Sequence, residues 1–137
     1  MEHFVEYCKT LEHNIPEIES INHYGRNYPY VSNSDQVSDW ERVLYTALYD
    51  AGVQTIPQYS IDKYKLDLAL LHSGKKLDIE VDGERYHRDW NGELCYRDRI
   101  RNQRLYEMGW DVKRFWVYQI RDELDMCIKE IVKWMAD

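Results

Sequence analysis

Two spacings of hydrophobic residues along the chain predict its helices and strands. Apolar residues three or four positions apart indicate amphipathic helices, and apolar residues at every second position indicate strands. Before residue 34 the pattern predicts helical segments between Glu2 and Ile21, interrupted near Pro16, and then a loop over Asn22–Asn33. The later predicted elements are a helix over Val37–Leu48 with Ser34 as N-cap and Gly52 as its stop, strands Gln54–Ile61, Leu66–Leu71 and Leu77–Val81, a helix Leu94–Met108, a strand Trp110–Val117 and a helix Arg121–Met135.

The order of these elements predicts the fold class. Three consecutive strands followed by helix, strand and helix indicate an α/β fold with a mixed sheet. His72–Lys75 is a predicted hairpin turn between the second and third strands. A length of 137 residues suits one domain with a single core. We therefore predict a helical extension over residues 1–33 and a core domain over residues 34–137, which form one compact unit.

The composition excludes several classes of protein. Hydrophobic residues make up 44% of the chain and aromatic residues 14%, which is typical of a globular protein and not of a disordered one. No apolar run is long enough to span a bilayer, and the N-terminus lacks the pattern of a signal peptide, so we expect a cytoplasmic protein without a membrane partner. The three cysteines are scattered, which argues against a disulfide framework or a structural zinc site and favours buried, inert thiols.

The net charge of −7 argues against a protein that binds nucleic acid mainly by neutralising its phosphates with many basic residues. The charge is uneven, however, because the segment Arg97–Arg104 is basic. An acidic protein with a basic strip can dock a polyanion locally, especially when metal ions neutralise its carboxylates.

Acidic residues interrupt two of the predicted strands. Asp67 lies within the second strand, and Glu80 alternates with Asp78 and Asp82 in and just after the third. Each acid alone also fits a solvated strand face. Across a hairpin, however, Asp67 and Glu80 would be neighbours, and two facing acids repel each other unless a cation lies between them. Such oxygen ligands suit Mg²⁺ or Mn²⁺.

A histidine follows the third strand and gives the predicted metal site a candidate base. His87 comes shortly after Gly83, and a neutral imidazole at this place could take a proton from an attacking water. A purely structural histidine is the alternative. Asp82 could orient the imidazole, bind a second ion or cap the turn.

Two acids on predicted helices are further candidates. Asp98 lies on the basic helix, where it could equally form an intrahelical pair with Arg101 or Asn102. Glu41 matters only if its helix packs over the edge of the sheet, and it is otherwise a surface acid. Together with nearby arginines, a divalent ion and a base suit hydrolysis of a phosphodiester, although a metal-dependent hydrolase of another ester would need similar residues.

Four pieces of the sequence resemble one group of nucleases. They are Glu41, LDLAL with Asp67, IEVDGERYH, and RDRIRNQRLYEMGWDVKRFW. These pieces are similar to the very-short-patch-repair-like branch of the PD-(D/E)XK nuclease superfamily, which includes phage homing endonucleases with the Glu-Asp-x-His-Asp motif. The resemblance runs from about Ser34 to the last residue.

The resemblance implies a helix-strand-strand-strand-helix-strand-helix core, a Mg²⁺ or Mn²⁺ cofactor, and double-stranded DNA as substrate. Asp67 would be the central metal-binding aspartate, Glu80 the second acid, and the backbone carbonyl of Val81 a further ligand. Asp82 stands where the superfamily has a lysine, and this departure points to His87 as the base. The remaining site residues that we predict are Glu41 and Asp98 as catalytic acids, and Arg85, Arg88, Arg97, Arg101 and Arg104 as DNA contacts.

The resemblance leaves three functions open. The first is the catalytic domain of a homing endonuclease, and the second is a repair nickase acting at mismatched or damaged sites. The chain lacks the cysteine and histidine spacing of the repair enzymes' zinc site, which favours the first. The third is a degenerate nuclease fold that serves as an interaction domain, against which the retained acids argue. The acidic balance also suggests a separate DNA-targeting domain outside this chain, and cutting both strands would need a dimer on DNA or two sequential nicks.

Overall fold

A four-stranded sheet with helices on both faces forms the fold. This computed structural model describes residues 25–83 and 92–137, without the side chains of residues 92–95. After a 3₁₀ turn at Ser34–Gln36, the elements are α1 (Asp39–Asp50), β1 (Ile56–Ile61), β2 (Tyr64–His72), β3 (Lys75–Asp82), α2 (Gly92–Glu107), β4 (Trp110–Trp116), α3 (Val117–Asp122) and α4 (Leu124–Ala136).

The sheet is mixed, with the strand order β1-β2-β3-β4. The β1–β2 and β2–β3 pairs are antiparallel, whereas β3 and β4 are parallel and are connected through α2. His72 pairs with Lys75 across the β2–β3 turn, and Ser73 and Gly74 take positive φ values of 51° and 82°. Such values are ordinary in a two-residue hairpin turn. The predicted α/β class, mixed sheet and hairpin are thus confirmed.

Each face of the sheet has its own core. On one face, Leu68, Ile79 and Phe115 pack against apolar residues from α1, α3 and α4, among them Leu44 and Ile131. The other core contains Leu105 of α2 together with the following residues of the sheet: Ile56, Leu66, Ala69 and Trp110. Since helices cover both faces, the acids of β3 cannot lie on a freely solvated face and must find partners in the fold.

Two helix boundaries differ from the prediction. Ser38, not Ser34, is the N-cap of α1, and it forms a capping box in which its side chain and that of Glu41 bond each other's backbone N–H groups. The predicted C-terminal helix is divided into α3 and α4, because Glu123 between them takes the non-helical φ and ψ of −134° and 42°. The predicted strand ending at Val117 stops at Trp116, where α3 begins.

The segment before α1 is described from residue 25 onward. Gly25 to Asn33 is irregular and packs on α1, since the hydroxyl of Tyr45 donates to the carbonyl of Gly25 at 2.6 Å. Residues 1–24 lie outside the described residues, so the helical extension over residues 1–33 stays a prediction. None of the helices described is long and apolar enough to cross a membrane. Cys127 is a buried free thiol, and the other two cysteine side chains are outside the described part.

Candidate active site

Asp67 and Glu80 lie side by side on neighbouring strands. The antiparallel register pairs Leu68 with Ile79, and the acids are the next pair, since Asp67 precedes Leu68 and Glu80 follows Ile79. The backbone N–H of Asp67 donates to Oε2 of Glu80 at 3.4 Å, and the N–H of Val81 donates to Oδ2 of Asp67 at 2.9 Å. The hairpin therefore brings the two acids together on the face that α2 covers.

The surroundings of Asp67 strongly oppose its negative charge. Burial, followed by the charges of Glu80 and Glu41, raises the pKa of Asp67 to about 9. Burial and the neighbouring Asp78 raise the pKa of Glu80 well above its ordinary value, although Arg101 opposes this shift. A bound cation would stabilise both ionised carboxylates and remove their mutual repulsion.

Arg101 reaches from α2 to the acids of β3. Its Nη2 atom lies 2.7 Å from Oε2 of Glu80 and 3.0 Å from Oδ2 of Asp78, whose side chain is 0% exposed. Only 17% of the Arg101 side chain is exposed, so this residue of the basic segment is largely buried against the sheet. The guanidinium compensates a carboxylate that would otherwise be buried with its charge unpaired.

A second arginine, Arg114 of β4, connects two other candidate acids. Its Nε atom lies 2.6 Å from Oδ2 of Asp82, and its Nη1 and Nη2 atoms bond both oxygens of Asp98 at 2.5 and 2.6 Å. Within α2, Asn102 donates to Asp98 through a long bond of 3.4 Å. Arg114 was not among the predicted site residues, because its place beside Glu80 depends on the parallel β3–β4 register, for which the sequence carries no local signal.

Glu41 is buried beneath the N-terminal turn of α1, with 5% of the residue exposed. Its Oε2 accepts the backbone N–H of Ser38 at 3.1 Å, and its Oε1 accepts the side-chain amide of Gln58 at 3.0 Å. Burial raises the pKa of Glu41. Glu41 was expected to matter only if its helix packs over the edge of the sheet. The helix does so, since Glu41 bonds Gln58 of the edge strand β1. Gln58 was missed, since a glutamine in an edge strand carries no signal in the sequence.

Several predicted site residues fall outside the described part of the chain or outside this cluster. His87, Arg85 and Arg88 belong to residues 84–91, of which the structure describes nothing. Arg104 pairs with Asp62 at 3.2 Å, in the turn between β1 and β2. Arg97 lies on the exposed side of α2. The backbone N–H of Val81 bonds Asp67, and a ligand role for its carbonyl stays a prediction.

The acids fit a magnesium-type site better than a closed metal cage. In residues 25–83 and 92–137, no group of three or more His, Cys, Asp or Glu side chains is close enough to hold an ion. Mg²⁺ commonly binds through one or two carboxylates and keeps several waters, so Asp67 and Glu80 suffice for it. Among the described residues, two arginines contact the cluster, and it contains six acidic side chains: Glu41, Asp67, Asp78, Glu80, Asp82 and Asp98. A bound cation would stabilise the ionised form of the acids that neither arginine contacts.

The comparison with known proteins identifies the family of this chain. No curated protein matches the sequence. A family model does match, over residues 40–135, which is more than half of the chain and extends from α1 to α4. The matched part includes all the carboxylates and both arginines of the cluster. The chain belongs to the restriction endonuclease-like family REase_MTES_1575.

Proposed function

We propose that this protein is a divalent-metal-dependent endonuclease that hydrolyses phosphodiester bonds of double-stranded DNA at Asp67 and Glu80. Membership in a restriction endonuclease-like family suggests a nuclease acting on DNA. The observation that carries the proposal for these two residues is their contact across β2 and β3, in surroundings that raise the pKa of both. Families of this kind generally depend on divalent metals, and Mg²⁺ is the cation that suits this pair of acids best.

The two carboxylates and the carbonyl of Val81 would hold the ion. When bound, such an ion polarises the phosphate and lowers the pKa of a bound water. Arg101 lies next to Glu80, where its guanidinium can stabilise the negative charge that develops on the phosphate. Asp67 is held in place by the N–H of Val81, so its carboxylate is oriented before any ion or substrate binds.

His87 is the proposed general base, because Asp82 stands where related nucleases have a lysine. The resemblance puts a lysine of the superfamily at the position of Asp82, and an acid cannot replace its positive charge. Asp82 is paired with Arg114, which also bonds Asp98, and a carboxylate in an ion pair is a weaker proton acceptor. A histidine shortly after β3 is the nearest residue in sequence with a suitable pKa.

Within this function we favour the catalytic domain of a homing endonuclease, on the strength of the sequence resemblance. A repair nickase of the very-short-patch-repair-like branch is the alternative enzyme. An interaction domain is favoured by one observation, because Arg101 already pairs with both Glu80 and Asp78 without any cation. The surplus of carboxylates over arginines in the cluster supports the enzyme.

Cleavage of supercoiled plasmid tests the proposal. Wild type and Asp67→Asn are compared in Mg²⁺, in Mn²⁺ and in chelator. Asp125→Asn is the matched control, since it makes the same change at an exposed position of α4. We expect metal-dependent nicked or linear product from wild type and Asp125→Asn. The rate of Asp67→Asn should be at least about a hundredfold lower, because even residues that only bond the ligands of a metal site commonly matter that much.

The products also separate the alternatives. Accumulated nicked circles would support a nickase, and direct linear product would support paired active sites. Equal cleavage by Asp67→Asn and wild type would contradict the site. The interaction domain would be favoured if supercoiled, single-stranded and mismatched DNA all stayed intact at high protein concentration.

A further inference from the structure

Gln58 has a backbone conformation that is unusual for a residue inside a strand. Its φ is 51°, in the left-handed region that side chains with a Cβ atom avoid. Asp62 and Ser73 also have positive φ values, but both lie in two-residue hairpin turns, where such values are common. A strained residue persists only where its surroundings hold it, and such residues concentrate at functional sites.

The strain at Gln58 coincides with a break in the pairing of β1 and β2. The register pairs Pro57 with Leu68 and Tyr59 with Leu66, and it skips Gln58 and Asp67 between them. Side chains of a regular strand return to the same face every second residue. Ile56 and Tyr59 are three positions apart, yet both pack into the core on the α2 side. The strand therefore changes face at Gln58, opposite the aspartate of the candidate site.

The side chain of Gln58 forms the centre of a directed chain of hydrogen bonds. Its amide nitrogen donates to Oε1 of Glu41 at 3.0 Å, and its amide oxygen accepts from the amide nitrogen of Asn33 at 2.7 Å. Both oxygens of the Glu41 carboxylate are occupied as acceptors, since Ser38 donates to the other one. A carboxylate can only accept, so the chain must run from Asn33 through Gln58 to Glu41.

We propose that Gln58 is a positioning residue of the active site, whose strained backbone aims its amide at Glu41 and so holds this carboxylate toward Asp67. The inference depends on the proposed function, because it takes Asp67 as a metal ligand. It also assigns a role to Asn33, which precedes the family-matched residues 40–135. Glu41 acts on the cation through its charge, since no three acids among the described residues are close enough to bind an ion together.

Two glycine variants separate positioning from backbone strain. Gln58→Gly accepts a positive φ but removes the amide, whereas Ser73→Gly relaxes the same φ of 51° in a turn remote from the cluster. Mn²⁺ affinity is measured by isothermal titration calorimetry, and unfolding by urea, for both variants, for wild type and for Asp67→Asn. We expect Gln58→Gly to lose about tenfold or more in Mn²⁺ affinity, as for other outer residues of metal sites. Its urea midpoint should not fall, and Ser73→Gly should bind Mn²⁺ as wild type does.

The outcomes distinguish this inference from the proposed function. Wild-type Mn²⁺ affinity in Gln58→Gly, together with loss of binding in Asp67→Asn, would overturn the role of Gln58 alone. Folded wild type that binds no Mn²⁺ would overturn both. If Gln58→Gly does not fold, Asn33→Ala replaces it, since this variant keeps Gln58 and removes the donor to its amide oxygen. A loss of Mn²⁺ affinity in Asn33→Ala would support the inference, and an unchanged affinity would overturn it.

Discussion

Single carboxylates in the cluster are compensated to different degrees. Asp98 accepts two bonds from Arg114, and Glu80 and Asp78 share Arg101. Asp67, by contrast, receives the backbone N–H of Val81 and faces the charges of Glu80 and Glu41. Burial, together with these two charges, raises the pKa of Asp67 to about 9. An added cation would stabilise the ionised form of Asp67 against both effects.

The raised pKa of Asp67 predicts a dependence of stability on pH. Its carboxyl has an ordinary pKa of 3.8, so between about pH 4 and pH 9 the folded protein keeps a proton that the unfolded chain releases. The stability of the metal-free protein should therefore fall as pH rises through this window. Asp67→Asn removes this contribution and should gain stability relative to wild type at pH 8 but little at pH 4. Urea unfolding in chelator at both values measures the difference, and a gain that is independent of pH would contradict it.

The burial of Asp78 beneath Arg101 predicts a strong coupling between these two residues. Arg101→Met leaves Asp78 buried without its partner and should lower the free energy of unfolding by about 3–5 kcal/mol. Asp78→Asn in the same chain removes the stranded charge and should restore part of that loss. A double-mutant cycle in urea measures the coupling. Additive effects of the two substitutions would show that the ion pair has no special contribution.

At the scale of elements, the pattern of the sequence predicted most of the fold. Every described strand overlaps its predicted range, because alternation and turn residues are local signals. The sequence also carries the capping box of α1, as Ser38 is followed three positions later by Glu41. The prediction of Ser34 as the N-cap was wrong because it did not take this spacing into account. The strain at Gln58 had no such signal, because it depends on Glu41 and Asn33, which are distant in sequence.

The capping box predicts a measurable difference between two serines. Ser38→Ala removes the side-chain acceptor for the N–H of Glu41 and should lower the free energy of unfolding by about 1 kcal/mol. Ser34→Ala is the matched control, since the bonds that Ser34 accepts involve its backbone carbonyl. Urea unfolding compares both variants with wild type. A larger loss in Ser34→Ala would contradict the assignment of the N-cap.

In the molecule as a whole, helices cover both faces of the sheet, so the acids of β3 lie in a buried cluster of charged side chains. Composition and periodicity predicted the α/β class and the proximity of Asp67 and Glu80. The sequence pattern could not predict that Arg101 of α2 pairs with acids of β3, because this contact depends on how the helix packs. Nor could it predict that Arg114 pairs with Asp82, because this contact depends on the parallel register of β3 and β4. A cation bound at this cluster, as proposed, would offset part of the net charge of −7.

Cleavage of the protein by bound Fe²⁺ tests directly whether Asp67 and Glu80 form one divalent cation site. Iron in place of Mg²⁺, with ascorbate and peroxide, generates hydroxyl radicals that cut the backbone near the ion. The sites of cutting are then read by mass spectrometry. We expect cuts near Asp67 in β2 and near Glu80 and Val81 in β3, which excess Mg²⁺ suppresses and Asp67→Asn abolishes. Cuts confined to other elements, or cuts at β2 and β3 that persist in Asp67→Asn, would contradict the account.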